Sequence, residues 1–437
     1  MNSQIIKPIV QSAVLITLMN FGLPQTAYTK TPKVGNIGES SVTNSSTNLP
    51  TNSKLAQEVV TLRKQGASGL EKFLKTHAQE LKNPSPQIRA ALDTLCQQRD
   101  CHASKLYWYT DLEQAKAAAK ASGKPILSLR LLGRLDQDLS CANSRFFRVA
   151  LYPNAAISQE LRDRFILHWQ SVRPAPKITI DYGDGRKLER TITGNSIHYI
   201  LDAAGRPIDA IPGLYSPVAF LKQLQKSQQT ISEYNKLSPE KREAYLKNHH
   251  QGSIQALQTQ WLADLNKLGI NNPPRLIEST RTNSTPNAGV AGNIAYAKSR
   301  VEMPVVSRIE ANTPTDITDA ATWNRIAQLY LADAKLDQNS LALIQSKKFY
   351  TNNQSPNALQ RLRNNFETAM ALDTVRNEYI LHRQIHQWFV EGRDTVNVNQ
   401  LNEKVYSQLF LTPNSDPWLG LLPSDVYSAI DNDGVRK

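Results

Sequence analysis

The chain has 437 residues, enough for about three domains of ordinary size. Apolar residues make up 40% and charged residues 20%, which excludes collagen, a wholly disordered chain and a polytopic membrane protein, and leaves a protein able to bury a core. The formal charge of +13, from 51 Lys and Arg against 38 Asp and Glu, attracts anions, and the three cysteines are too few to hold such a length together.

Residues 1–28 carry Lys7 and then an apolar run from Ile9 to Phe21, ended by Pro24, with the small Ala27 beyond it. This reads as a secretory signal peptide, since Gln11, Ser12 and Thr17 interrupt a run already too short to span a bilayer. No other segment is long and apolar enough to cross one, so the mature chain is expected in the periplasm or secreted, with no transmembrane helix. Residues 29–54 are Ser, Thr, Asn, Gly and Pro with few large apolar side chains, a disordered linker.

Residues 55–104 read as a helical segment. Leu70, Phe73, Leu74, His77 and Leu81 form one stripe closed by Pro84, and Ser85-Pro86 opens a second helix carrying Ile88, Leu92 and Leu95. Between 105 and 228 strands and helices alternate. A capping box at Thr110 to Glu113 opens an Ala-rich helix stopped by Gly123, and Pro125 starts the apolar strand Ile126 to Leu132. A helix from about Asn154 leads into the strand-like run from Phe165 to Trp169. Lys177 to Tyr182 and Lys187 to Ile192 flank Gly183-Asp184-Gly185 as a hairpin, and Ile197 to Leu201 and Pro207 to Ile211 flank Asp202 to Gly205 in the same way. Asp181, Asp184 and Asp202 read as turn formers. Ser216-Pro217 caps a closing helix. The fold class expected is a mixed central sheet flanked by helices, with a helical connector over 229–270, a loop or linker over 271–318, and a mainly α C-terminal region over 319–437. One helix of that region is expected to run from Ser355-Pro356 to Val390.

Lys124-Pro125-Ile126-Leu127, Ser140-Cys141-Ala142-Asn143-Ser144, Phe165-Ile166 and Leu201-Asp202-Ala203-Ala204-Gly205-Arg206, in that order, resemble the exported branch of the thioredoxin-like superfamily over about residues 105–228. The resemblance places Cys141 at the family's attacking cysteine and Ser144 at its resolving cysteine, giving C-x-x-S. It puts Asn195 and Ser196 in the client-binding loop, with Ser196 where the family has a cis-proline. The implied partners are protein thiols or disulfides of exported clients. Chemistry supports the first role independently: if Ser140 is an N-cap, Cys141 lies in the first helical turn, where unpaired N–H groups and the helix dipole favour a thiolate. A thiolate attacks a disulfide and leaves a mixed disulfide. The Ser144 hydroxyl cannot displace it, so release needs an outside thiol. Monothiol exchange through Cys141, by isomerisation or client trapping, is one expectation. The other is a redox-inactive thioredoxin-like binding or scaffold module of the cell envelope, meeting anionic envelope components through its basic surface. The basic residues are scattered, without nucleic-acid-binding motifs, so nucleic acid is not an expected partner.

Cys96 and Cys101 read as a local disulfide, with a spaced variant of the haem attachment motif, ending in His102, as the alternative. Glu378, His382 and His386 stand at successive i+4 steps and share one helix face, but Arg383 occupies the position of a zincin glutamate, so no metal or other cofactor is expected. The adjacent His249 and His250 point in different directions on a helix. His168 and His198, on neighbouring strands, line a pocket or are buried and hydrogen-bonded.

Overall fold

The computed structural model describes residues 53–191, 194–270, 320–348, 356–392, 394–410 and 412–415. The expected signal peptide, the linker after it up to residue 52, the 271–318 segment and most of the C-terminal tail lie outside the described residues; the end expected for the linker, Ser53 and Lys54, instead caps and opens the first helix. The described residues all fall within a single compact unit.

Four helices come first: α1 (Lys54–Arg63), α2 (Ala67–Thr76), α3 (Pro86–Cys96) and the short α4 (Cys101–Ser104). The Ser85 hydroxyl accepts from the Ile88 N–H and Pro86 follows it, which starts α3 as the sequence predicts. These helices enclose their own small core of Val59, Leu70, Phe73, Leu92 and Leu95. Cys96 and Cys101 are joined in a disulfide, and both are fully buried. Each sulfur is therefore bonded to the other, which excludes thioether attachment of haem at this pair.

The central sheet has five strands in the order β1-β3-β2-β6-β7. These are β1 (Trp108–Tyr109), β2 (Ile126–Leu132), β3 (Ile166–Arg173), β6 (Ser196–Leu201) and β7 (Pro207–Pro212). β1, β3 and β2 are parallel, whereas β6 and β7 run antiparallel to their neighbours. Every residue of β2, β6 and β7 is buried, as expected of strands covered on both faces. β4 (Lys177–Asp181) and β5 (Lys187–Thr191) form a separate hairpin, in which Gly183 and Gly185 take the positive φ that an L side chain resists.

The helices α5 (Leu112–Ser122), α6 (Ala142–Phe146), α7 (Ala155–Arg164), α8 (Pro217–Lys236) and α9 (Pro239–Lys267) alternate with or follow these strands. The N-cap of α5 is Asp111, whose carboxylate accepts from Gln114 N–H. The expected Thr110–Glu113 box is displaced by one residue because the aspartate is the stronger cap. A π-helical turn, Phe147–Leu151, continues α6.

Five further α-helices follow, α10 (Ala320–Leu329), α11 (Gln338–Lys348), α12 (Pro356–Arg376), α13 (Arg383–Glu391) and α14 (Val398–Lys404), with a 3-10 turn at Leu331–Ala334 between the first two. A π-helical turn at Asn377–His382 joins α12 to α13, and another at Val405–Leu409 follows α14. The expected single helix from 355 to 390 is thus continuous but changes its winding in the middle. The C-terminal helices share one core with the sheet, and Trp261, Trp323 and Tyr379 pack together within it. No described helix is long and apolar enough to cross a membrane.

Candidate functional site

Cys141 follows the central strand β2 after an eight-residue loop, and its N–H donates to Leu132 O at 3.1 Å. It is the N-cap of α6 itself, one residue earlier than a Ser140 cap would place it. α6 is only five residues long before the π turn takes over, so the aligned dipole that would favour a thiolate is short. The thiol is fully buried within the main core, and the phenols of Tyr152 and Tyr406 are close enough to feel its charge. A thiolate in that setting has no water to solvate it.

Ser144 is also buried. Its hydroxyl donates to Cys141 O and contacts the Ser140 hydroxyl, closing the first turn of α6 rather than reaching a client. Ser140 is held in turn by Arg148, and its carbonyl accepts from the Thr191 hydroxyl of β5, so the hairpin is tied to the thiol loop.

Asn195 and Ser196 lie beside this region, both buried. Ser196 opens β6 opposite Leu131 of β2, and the described residues contain no cis peptide. The Asn195 side chain donates to the Thr412 hydroxyl at 3.1 Å and its carbonyl accepts from the Tyr406 phenol at 3.2 Å. Arg173 donates to the Thr412 carbonyl at 2.9 Å. The segment after α14 therefore engages the Asn195 side-chain amide N–H and backbone carbonyl of the loop that the resemblance assigns to client binding, while Asn195 Oδ1 and the Ser196 hydroxyl are buried without a hydrogen-bond partner among the described residues. Sequence spacing gave no sign of this, because residues more than 200 positions apart make the contacts.

A second constellation lies where the C-terminal half meets β7. Asp209 of β7, His250 of α9, and Glu378, His382 and His386 at the α12–α13 junction converge there. His382 Nε2 is 3.2 Å from Asp209 Oδ1, and its Nδ1 is 3.1 Å from Glu378 Oε2. Glu378 accepts from the Tyr215 phenol and the Gln223 amide, each at 2.8 Å. His250 Nδ1 faces His386 Nδ1 at 2.8 Å, and His250 Nε2 lies 3.1 Å from Ile208 O, to which it must donate because a carbonyl only accepts. Asp209, His250, His382 and His386 are all buried.

Charge follows from this geometry. Burial acts to lower the His382 pKa, but the Glu378 and Asp209 carboxylates outweigh it and raise the value to about 9. Burial acts to raise Asp209, yet His382 holds it well below the ordinary carboxylate range, and Glu378 is lowered in the same way. His250 and His386 are pushed down by burial, His250 to about 4. The ligand atoms of Asp209, His382 and His386 lie within 4.8 Å of one another, the grouping among the described residues able to hold a metal ion. Helical spacing identified Glu378, His382 and His386 in the sequence. It could not identify Asp209 or His250, which come from other elements.

His168 and His198 are buried and hydrogen-bonded rather than pocket-lining: His168 Nδ1 pairs with Ser128 Oγ and His198 Nε2 with Tyr152 OH, each at 2.8 Å. Comparison with protein-family models, curated proteins and solved structures finds no match.

Proposed function

We propose that the chain is a redox-inactive, thioredoxin-like binding or scaffold module of the cell envelope, exported by its N-terminal segment. The strand order β1-β3-β2-β6-β7, with β4–β5 as an insertion, supports the thioredoxin-like reading, as does a helix that starts at Cys141 directly beyond the central strand. The observation that favours binding over thiol exchange is the buried state of Cys141, beside a loop whose Asn195 is engaged by Tyr406 and Thr412 of the same chain. The net charge of +13 favours encounter with anionic envelope components, and specific binding would add contacts that salt does not screen.

The test is thiol labelling of the full chain with iodoacetamide. Silence in the native state and one labelled thiol in guanidinium are expected, because Cys96 and Cys101 are bridged. Native labelling together with turnover of a mixed disulfide by added glutathione would instead establish Cys141 as the monothiol nucleophile. For the binding role, retention on an anionic envelope polymer is expected to persist at high salt. Loss at modest salt would leave only nonspecific charge.

A further inference from the structure

We propose that Asp209, His250, His382 and His386 form a closed, four-ligand structural site for a divalent transition-metal ion, zinc being the ion this donor set suits best. A tetrahedral zinc site with bonds of about 2.0 Å separates its ligand atoms by about 3.3 Å. Here His382 Nε2 to Asp209 Oδ1 is 3.2 Å, His386 Nδ1 to Asp209 Oδ1 is 3.8 Å, and His250 Nδ1 to His386 Nδ1 is 2.8 Å. These separations bracket that value. Asp209, His382 and His386 already lie within 4.8 Å of one another, whereas His250 stands outside that trio, against His386, and completes four-coordination only by a shift of its ring. Three imidazole nitrogens and one carboxylate oxygen, with no sulfur, suit Zn(II) or Co(II) rather than Cu(I) or the all-oxygen cations.

The surroundings of the rings make the case independently of the distances. A metal-bound histidine usually gives its other ring N–H to a carboxylate or a backbone carbonyl, which fixes the tautomer and aims the lone pair. His382 directs Nδ1 at Glu378, itself fixed by Tyr215 and Gln223, and leaves Nε2 facing Asp209. His250 donates Nε2–H to Ile208 O, so the lone pair of its neutral ring lies on Nδ1, facing His386. Two rings from different elements are thus oriented by outer partners, His382 toward Asp209 and His250 toward His386. The winding of the chain contributes, since His382 ends the π turn and His386 lies one turn into α13, and π turns interrupt helices frequently at functional sites. All four residues are buried, which keeps a substrate from the ion, so the site would be structural. It would join β7, α9 and α13 through one ion.

The full chain, stripped with a chelator, is titrated with Co2+ and then Zn2+. One equivalent of Co2+ is expected, with the intense visible bands of four-coordinate cobalt, displaced by one equivalent of Zn2+ and accompanied by a higher thermal midpoint. His386→Ala is expected to abolish stoichiometric uptake. Glu378→Gln keeps all four ligands and is expected to weaken Zn2+ binding about 10- to 100-fold, a readout that remains if His386→Ala fails to fold. The proposal is overturned if the folded, stripped chain takes up no stoichiometric Co2+ and its thermal midpoint ignores Zn2+. It is equally overturned if uptake survives His386→Ala but disappears in His77→Gln, which would place the ion at the surface group of His77, Glu58 and Glu80.

Discussion

Acid should destabilise this protein through histidines that the fold buries uncharged, and two of them lie on the central sheet. His198 is fully enclosed on β6 among Phe147, Tyr152 and Phe220, and burial lowers its pKa from 6.5 to about 3. His168 on β3 is lowered to about 3 as well, by burial first and then by the neighbouring Arg130. Because the folded values lie below the unfolded one, the unfolded chain binds more protons between about pH 3 and 6.5. The stabilisation is fully present above about pH 6.5 and is lost as the pH falls below it. At about pH 5 the unfolded state has gained about 2 kcal/mol per histidine, at about 1.4 kcal/mol per pKa unit. The assay is urea unfolding followed by tryptophan fluorescence at about pH 7.5 and about pH 5. In His198→Leu the overall stability falls, because Tyr152 loses its partner, but the loss between the two pH values should shrink by about 2 kcal/mol relative to the parent. The same loss in variant and parent would refute the argument. So would a His198 ring resonance that titrates near its ordinary value in the folded protein.

Other predictions follow from packing and geometry. Cys96→Ala with Cys101→Ala opens a loop closed across a sequence separation of 5, and chain-entropy arguments give a loss of about 2 kcal/mol, measurable by urea titration. Tyr406→Ala empties a fully buried aromatic site against Asn195. It should cost about 3–5 kcal/mol and make Cys141 react with iodoacetamide in the native state; unchanged labelling in a folded variant would mean that Tyr406 does not cover the thiol. Gly213→Ala is expected to destabilise by more than about 1 kcal/mol. Gly213 has φ +74° and an added Cβ would meet the Asn377 amide at 2.5 Å, the same amide that donates to Leu214 O. A calorimetric midpoint equal to the parent's would contradict this.

Local patterns made the α/β region legible. β2 begins and ends where its apolar run does, and both hairpins fall at the Gly and Asp positions that demand them. Asp202 accepts from the Ala204 and Arg206 N–H groups, the local turn chemistry its position announced. β1 was hidden because two residues, Trp108 and Tyr109, carry no periodicity. The fate of Cys141 was hidden for a different reason. A cysteine at a helix start is reactive or inert according to what surrounds it, and here it is enclosed in a core to which remote segments, Tyr406 among them, contribute. The histidine face of the 355–390 helix was visible, but its partners Asp209 and His250 become neighbours only through the packing of β7 and α9.

Both constellations give the C-terminal half the same physical task. It supplies His382, His386 and Glu378 to the buried cluster at β7, and Tyr406 and Thr412 to the loop before β6. Between these points Asn377 donates to Leu214 O and Thr374 accepts from Ser216 N–H, both just beyond β7. These contacts are polar and deeply buried, so losing either partner strands a desolvated group at a cost of about 1–3 kcal/mol. Apolar packing tolerates sliding, but such directional contacts do not, and they hold the C-terminal helices in one register on the sheet. That register places Tyr406 beside Asn195, in the same core as the buried thiol. The C-terminal half is therefore integral to the fold of the α/β region, and the proposed scaffold role draws on the surface of that joint unit, because Cys141 is buried inside it.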